Sequence, residues 1–434
     1  MEKHRHAAGG GTPVAIVSVP YGTGEKSFEI ANRNLLKVFD YPRVSEPTPA
    51  QERAAVEKAL LNPIGAPPLS ALAKAGARIA ILVDDWTRPT PAFRVLPVLL
   101  EQLAAAGCKE PDISIVMAKG MHRKLSREEM AQKLGREVLD RFDVRNHDPH
   151  DNLVHLGRSP SGTPVWVNRT VAEADLRISV GSIVAHPIAG FGGGAKIIVP
   201  GVAGSETIHH NHSLADHPNV TIGCVEGNPV RADMEDIARM ARLDLIVNTI
   251  LTPAKKVLDA VAGDVVQAHR EGVRRYRAIY GAEIGKKATI GVVGASPRDA
   301  TFGHATFALY AAAPMVHTGG ALILVAPCTD GPGSKEDRES FRQQAATSPE
   351  KLMARIKAGE ISASGGAFMY VYAKTVSQYR VALVSDSHTR EQAGDLGLGY
   401  APSLQDAVDA AVAAAGASAT VSAMPCAGLA VPVS

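Results

Sequence analysis

The sequence predicts an α/β protein of two domains with mainly parallel sheets and an active site in the cleft between the domains. Three observations carry that prediction. Short β-branched runs alternate with helical patterns along the whole chain, no internal repeat interrupts them, and one polar stretch, GAEIGKKA at 281–288, divides the alternation in two. VAIVSV (14–19) is the first strand. RIAILVDD (78–85), DISIVMA (112–118) and LRISVGSIV (176–184) follow, with helices expected at 91–106 and 125–142. DLIVNTIL (244–251) adds a further strand before a helix at roughly 264–280. Beyond the polar stretch, ATIGVVG (288–294), ALILVAP (321–327) and RVALVSD (380–386) are strands, and DAVDAAVAAAG closes the pattern as a helix. These patterns assign 12–280 to an N-terminal α/β domain and 288–434 to a C-terminal Rossmann-like one.

Composition narrows the partners. At 434 residues there is ample chain for two cores, and 46 Lys+Arg against 44 Asp+Glu leave no global field that would favour nucleic acid or an anionic membrane. A small-molecule partner is therefore expected. Cys108, Cys224, Cys328 and Cys426 are far apart and form no CxxC pair, which excludes a disulfide framework and a cysteine zinc site and fits a reducing compartment. The N-terminus has no apolar leader before its first strand, and no apolar run reaches the roughly 18 residues of a membrane span. The expected location is the cytoplasm. His4 and His6 lie in a Gly-rich terminus expected to fray.

Ligands of parallel sheets sit beyond the carboxyl ends of the strands, so residues just after strands take priority. Four clusters qualify. DDWTRPTP (84–91) sets two acids beside Arg88, whose planar fork suits a carboxylate or phosphate; spacing alone favours a plainer role, an Asp cap with Arg88 paired to Asp84 or Asp85. AKGMHRKLS places His122 after a strand and before a Ser-capped helix. AHPIAGFGGGAKIIVPG (185–201) carries His186 and, ten residues on, Lys196 after three glycines. The P-loop template fails here, because Ala195 and Ile197 stand where it needs Gly and a hydroxyl. The dinucleotide fingerprint also fails, because Pro200 and Gly201 break the segment where a long helix should run. SETIHHNHS holds His209, His210 and His212, but lacks the helix and the acid of HExxH, and surface positions are expected for His209 and His210.

In order and spacing, DDWTRP, GMHR, AHPIAGFGGGAKIIVPGVAG and TIHHNH resemble the lactate racemase family, whose members use a nickel-pincer nucleotide. The resemblance extends from about residue 14 into the C-terminal domain. It implies a pyridinium-3-thioamide-5-thiocarboxylate mononucleotide joined to Lys196, with His212 as protein ligand to Ni(II). Gly192, Gly193 and Gly194 would clear space for the flat ring and offer N–H groups to the phosphate. Asp85 would hold the cofactor or orient Arg88, and Arg88 would clamp a substrate carboxylate. His122 and His186 match the family's acid/base pair, which serves racemisation by hydride transfer from the Cα of a 2-hydroxy acid. One departure stands out: family members acting on lactate carry Gln and Lys where SPRDATFGHATF has His304 and Phe307. That change implies a substrate bulkier or more apolar than lactate. Two other readings remain open, a metal-dependent hydrolase using the HHNH cluster with Asp85 and a non-catalytic nickel-nucleotide binding protein.

Overall fold

The structure is a computed structural model describing residues 13–40, 44–331, 338–339, 341–343 and 346–433; His4 and His6 lie outside the described residues. The chain forms two compact units. The first comprises Val44–Ala278 and Ser362–Ser364. Its six-stranded sheet runs in the order Val257–Gly263, Leu245–Leu251, Leu176–Ser182, Ile79–Asp84, Ile113–Ala118, Asp143–Asn146. All neighbours are parallel except the first pair. Continuous apolar runs such as Ile79–Val83 and Leu245–Val247 are buried because a parallel sheet is covered on both faces. Val95, Leu96 and Leu99 of the helix Ala92–Ala105 share a core with Ile81, Val83 and Val180. Each such side chain contributes about 1.5–3 kcal/mol on burial.

One feature of this sheet decides where a ligand can sit. Starting from Ile79–Asp84, successive strands are added on one side up to Asp143–Asn146, and the chain then returns to place Leu176–Ser182 on the other. The strand order reverses between Ile79–Asp84 and Leu176–Ser182, which opens a crevice at their carboxyl ends. The helix expected over 125–142 is two helices, Arg127–Leu134 and Arg136–Arg141. Gly135, at φ 90°, breaks it, since that backbone conformation has no place inside a helix.

The second unit is built from the described parts of 1–43, 279–361 and 365–434. Its sheet is parallel throughout, in the order Gly399–Tyr400, Arg380–Val384, Val316–Val325, Ala288–Gly294, Val421–Met424, Leu35–Val38. The beginning of the chain therefore belongs here, not to an N-terminal domain starting at residue 12. Leu35–Val38 pairs with Val421–Met424, and Val17, Val19, Phe28 and Ile30 of the hairpin Val14–Tyr21/Gly24–Ala31 pack with Ile290 and Val292. Both partners come from the far end of the sequence, so no local pattern could signal the pairing. Among the described residues no helix is long and apolar enough to cross a membrane.

Candidate active site

The crevice is a small cavity of about 50 Å³, and every residue lining it belongs to the first unit. Three segments that follow strands build it. The first is the DDWTRP turn after Ile79–Asp84. Lys133, from the Arg127–Leu134 helix, ion-pairs with Asp84 Oδ1 at 2.6 Å and donates to the carbonyls of Asp85 (3.0 Å) and Arg88 (2.9 Å). Thr90 Oγ1 donates to Asp84 Oδ2 and is followed by Ser182 and Thr249 in a buried chain of hydroxyls. Burial pushes the Asp84 carboxyl up, against the pull of Lys133.

Asp85 faces the cavity, but its partner is not Arg88. Its Oδ1 accepts from the backbone N–H and hydroxyl of Thr87 (3.1 and 2.6 Å), and its Oδ2 lies 2.5 Å from His122 Nδ1. Burial would raise this carboxyl, yet the hydrogen bond and charge of His122, the Arg88 guanidinium and the Thr87 bond outweigh it and hold it at about 2. Arg88 has no side-chain hydrogen bond or ion pair among the described residues, and the Ala92–Ala105 helix is preceded by Pro91 with no side-chain cap. The capping and pairing roles suggested by spacing are not adopted.

The second segment, Lys119–His122, follows Ile113–Ala118. Gly120, at φ 53°, donates its N–H to Gly201 O at 2.9 Å, which joins this turn to the segment that follows Lys196. His122 is thereby set beside Asp85 with its Nδ1 engaged and its side chain 45% exposed. Since Asp85 is ionised and can only accept, Nδ1 carries a proton, and in the neutral ring Nε2 is then the nitrogen with the lone pair.

The third segment carries His186 and Lys196. His186 Nδ1 accepts the backbone N–H groups of Ile188 and Ala189, both at 3.2 Å, so its neutral ring carries hydrogen on Nε2. Burial holds this histidine well below its ordinary pKa, and the positive charges of Lys196 and Arg88 add to the shift. Gly193 and Gly194 take φ 74° and 57° and lead into the short turn Gly194–Ile197. A Cβ would sit 2.9 Å from Val184 at Gly192, 2.6 Å from Asn248 at Gly193 and 2.8 Å from His269 at Gly194. The glycines thus let the turn press against its own scaffold. Their expected role as phosphate donors is corrected at two positions, because Gly192 N–H goes to Val184 O (2.7 Å) and Gly194 N–H to Asn248 Oδ1 (2.8 Å). Buried Arg231 clamps the same turn through the carbonyls of Ala189, Phe191 and Gly193. Lys196 opens onto the cavity, yet its amine is so enclosed that desolvation, with Arg88 and Arg231 adding, drives its pKa well below the usual lysine range.

SETIHHNH forms the helix Ser205–His212, although its spacing had suggested none. His210 is exposed and His209 half-buried, while His212 is 2% exposed and held at about 3 by burial, with Lys196 adding. His212 Nδ1 makes no hydrogen bond of good geometry, and the Ile208 carbonyl one turn back is the backbone group acting on it. His186, Lys196 and His212 lie near enough for their charges to act on one another. Among the described residues no group of three or more His, Cys, Asp or Glu is placed to hold a metal alone. This removes the support for a hydrolase built on HHNH.

His304 and Phe307 belong to the second unit, on the helix Phe302–Ala312. His304 Nδ1 is 3.1 Å from Thr301 Oγ1. Phe307 is 6% exposed and packs on Phe368, Tyr310 and the Arg298 guanidinium. Sequence reasoning missed Lys119, Lys133, Arg231 and Asn248. Asn248 left a signal as the one amide in an apolar strand, and Lys119 left one as the first residue beyond a strand. Lys133 and Arg231 left none, since each is a basic residue on an otherwise ordinary helix.

A two-unit α/β enzyme with its site at the switch point of the first sheet is what fold and cavity define. The chain belongs to the lactate racemase family and is an isomerase of the racemase type: residues 21–223 match the lactate racemase N-terminal domain and 284–433 the C-terminal domain. It is 31% identical over 425 residues to the lactate racemase of Lactiplantibacillus plantarum, covering 94% of this chain and 97% of that one. It is 28% identical over 404 residues to the lactate racemase of Thermoanaerobacterium thermosaccharolyticum, covering 91% and 94%. The lactate racemase apoprotein structure from T. thermosaccharolyticum matches with a TM-score of 0.86 at 27% identity, over 97% of this chain and 100% of that one. A Thermotoga maritima protein shares the fold, with a TM-score of 0.65 at 18% identity, over 91% of this chain and 100% of that one.

Proposed function

We propose that this enzyme racemises or epimerises 2-hydroxy acids with a nickel-pincer nucleotide joined to Lys196 and with Ni(II) ligated by His212. The observation that carries the proposal is Lys196 itself. Its amine opens onto the cavity, has no carboxylate partner within ion-pair distance among the described residues, and is biased toward the neutral form by burial and two guanidiniums. A neutral amine is the form that can join an acyl-type group, so this lysine suits an anchor. The fit extends to the metal, because one enclosed imidazole complements a nucleotide that brings its own soft donors, and nickel(II) accepts such a set.

The bound group supplies a reversible acceptor for the hydride on the substrate Cα. Arg88, whose guanidinium has no hydrogen bond or ion pair among the described residues, takes the substrate carboxylate in its planar fork. His122 Nε2 takes the hydroxyl proton, while Asp85 holds Nδ1–H and stabilises the imidazolium that forms. A 2-hydroxy acid that had given up hydride and proton would be a planar keto acid, so inversion of the carbon would need a proton donor to the oxygen on either side of it. His186 serves the oxygen on the other side, and at rest it presents Nε2–H as a donor. To act as a base it must carry its proton on Nδ1, in competition with the N–H groups of Ile188 and Ala189. The two histidines are thus poised in opposite states.

The substrate side chain is placed among those larger or more apolar than a methyl. Val184, Ile197, Pro89 and Pro200 give the cavity apolar walls, and the Phe307 position lacks the lysine of the lactate-type pattern. The wide separation of the four cysteines supports a cytoplasmic location. The deciding experiment joins intact mass of protein from cofactor-producing cells to a chiral assay of enantiopure 2-hydroxy acids. The proposal requires an adduct on Lys196 and inversion of at least one acid. An adduct without turnover would instead indicate a nickel-nucleotide binding protein, and no adduct would end the reading.

A further inference from the structure

Charges around the cavity do not cancel. Its two acids are committed, Asp84 to Lys133 and Asp85 to His122 and Thr87. Three basic side chains also line it, Arg88, Lys119 and Lys196. In the reading above, Arg88 meets the substrate carboxylate and Lys196 is the anchor, which leaves Lys119 without a role.

Lys119 is 5% exposed, and its Nζ donates to the carbonyls of Gly120 (3.1 Å) and His122 (2.7 Å). An ammonium has three N–H bonds, so one remains. No carboxylate among the described residues lies within ion-pair distance of it. The two acids whose fields reach it are engaged elsewhere, Asp85 as described and Asp148 with Lys124 at 3.2 Å. Lys133, on the neighbouring helix, provides the contrast: it donates to two carbonyls and has a carboxylate, Asp84, as its counter-charge. A buried ammonium without a counter-charge is costly unless something else supplies one. Burial accordingly lowers the pKa of Lys119. The backbone offers no substitute site for an anion at Gly192 or Gly194, whose N–H groups are occupied.

We propose that Lys119 binds an anionic oxygen group of the ligand, using its remaining N–H at the cavity wall. Two sources share that chemistry: the phosphate of the tethered mononucleotide and a second carboxylate on the substrate. The identity of these ligands rests on the proposed function, but the anion site does not, so the test uses apoprotein and binding alone. The probes are nicotinic acid mononucleotide against its riboside, and 2-hydroxysuccinate against lactate, titrated calorimetrically into the parent, Lys119→Met and Lys119→Arg. If the phosphate is held, the mononucleotide binds at least tenfold tighter than the riboside, Lys119→Met brings that ratio near one, and Lys119→Arg retains most of it. If a second carboxylate is held, the 2-hydroxysuccinate to lactate ratio collapses instead. Lys119→Gln replaces the Met variant if the latter does not fold by circular dichroism. Both ratios unchanged in a folded variant overturn the proposal. Failure of the function itself appears separately, as a missing Lys196 adduct in protein from cofactor-producing cells.

Discussion

The two units share an architecture, a six-stranded sheet with helices around it, and differ at the ends of their strands. In the first, the carboxyl ends lead into Asp84, Asp85, His122, His186 and a glycine turn that carries Lys196. Buried Arg231, Asn248, Ser182 and Thr249 hold those segments by hydrogen bonds. In the second, the helix Phe302–Ala312 contributes to a cluster of rings in which Phe302 stands 6.0 Å from Tyr372, and Phe341 stands 4.7 Å from the same ring. The comparison teaches that the fold provides the crevice and that a few polar residues after strands are what equip it for the proposed chemistry. Burying those polar groups destabilises the first unit unless each is satisfied. On the proposed function, changes there should abolish reaction, whereas the His304 and Phe307 positions of the second are proposed only to tune it.

The largest effect is expected at Lys196. Lys196→Ala should remove both the mass adduct and activity, because among the described residues no other lysine opens onto the cavity from a run of glycines. Retained racemisation in this variant would sink the cofactor assignment. The proposed acid/base histidines come next. His122→Ala and His186→Ala should each lower turnover on the order of 10²-fold or more. Two enantiomers have an equilibrium constant of one, so kcat/KM must fall equally in both directions. The opposite resting states of the rings sharpen the test. Glutamine offers an N–H donor and no comparable base, so His186→Gln should retain more activity than His122→Gln, and the reverse order would refute the assigned tautomers. Asp85→Asn should act through His122, lowering kcat while the adduct stays intact. Because Asp85 is held at about 2, it stays ionised across the working range. Its contribution to stability is present above the ordinary carboxylate pKa and is lost as pH falls through about 2. Acid unfolding of parent and variant should differ on that limb only.

His212→Ala tests the metal apart from the anchor. Nickel content after dialysis should fall while the organic adduct on Lys196 remains, and chelator should strip the variant faster than the parent. Unchanged nickel would move the ligand to half-buried His209, which lies one helical turn before His212.

Strand-forming runs were legible because β-branched apolar segments bounded by turns have few alternatives, and the strands expected at 78–85, 112–118, 176–184 and 244–251 appear close to where the pattern put them. The N-terminal hairpin was assigned to the wrong unit because its partners, Val421–Met424 and the Ile290 core, are distant in sequence. Residues named through motifs, His122, His186, Lys196 and Arg88, line one cavity. What the motifs could not convey is pairing. Asp85 was expected beside Arg88 and is bonded to His122, since a contact between two loops depends on the sheet order. The glycines were read as open to ligand, and the backbone shows them pressed on Asn248, Val184 and His269.

The smallest effect is expected from His304 and Phe307, where the second unit is proposed to tune the substrate. Most of the Phe307 ring is already spent on Phe368, Tyr310 and Arg298, so little of it remains for a ligand. Each substrate methylene taken from water against apolar surface gains about 0.8 kcal/mol, or about fourfold. A missing lysine costs every carboxylate substrate alike, whereas this gain grows with chain length, so only the ratio between substrates is diagnostic. The ratio of kcat/KM for 2-hydroxybutyrate over lactate should exceed one in the parent, by no more than about that factor. Phe307→Lys combined with His304→Gln should bring it below one and leave the Lys196 adduct and nickel content unchanged. A parent ratio below one, or a ratio indifferent to the double change, would show that these rings serve only the core of their own unit. Substrate choice would then rest with Val184, Ile197 and Lys119 in the cavity of the first.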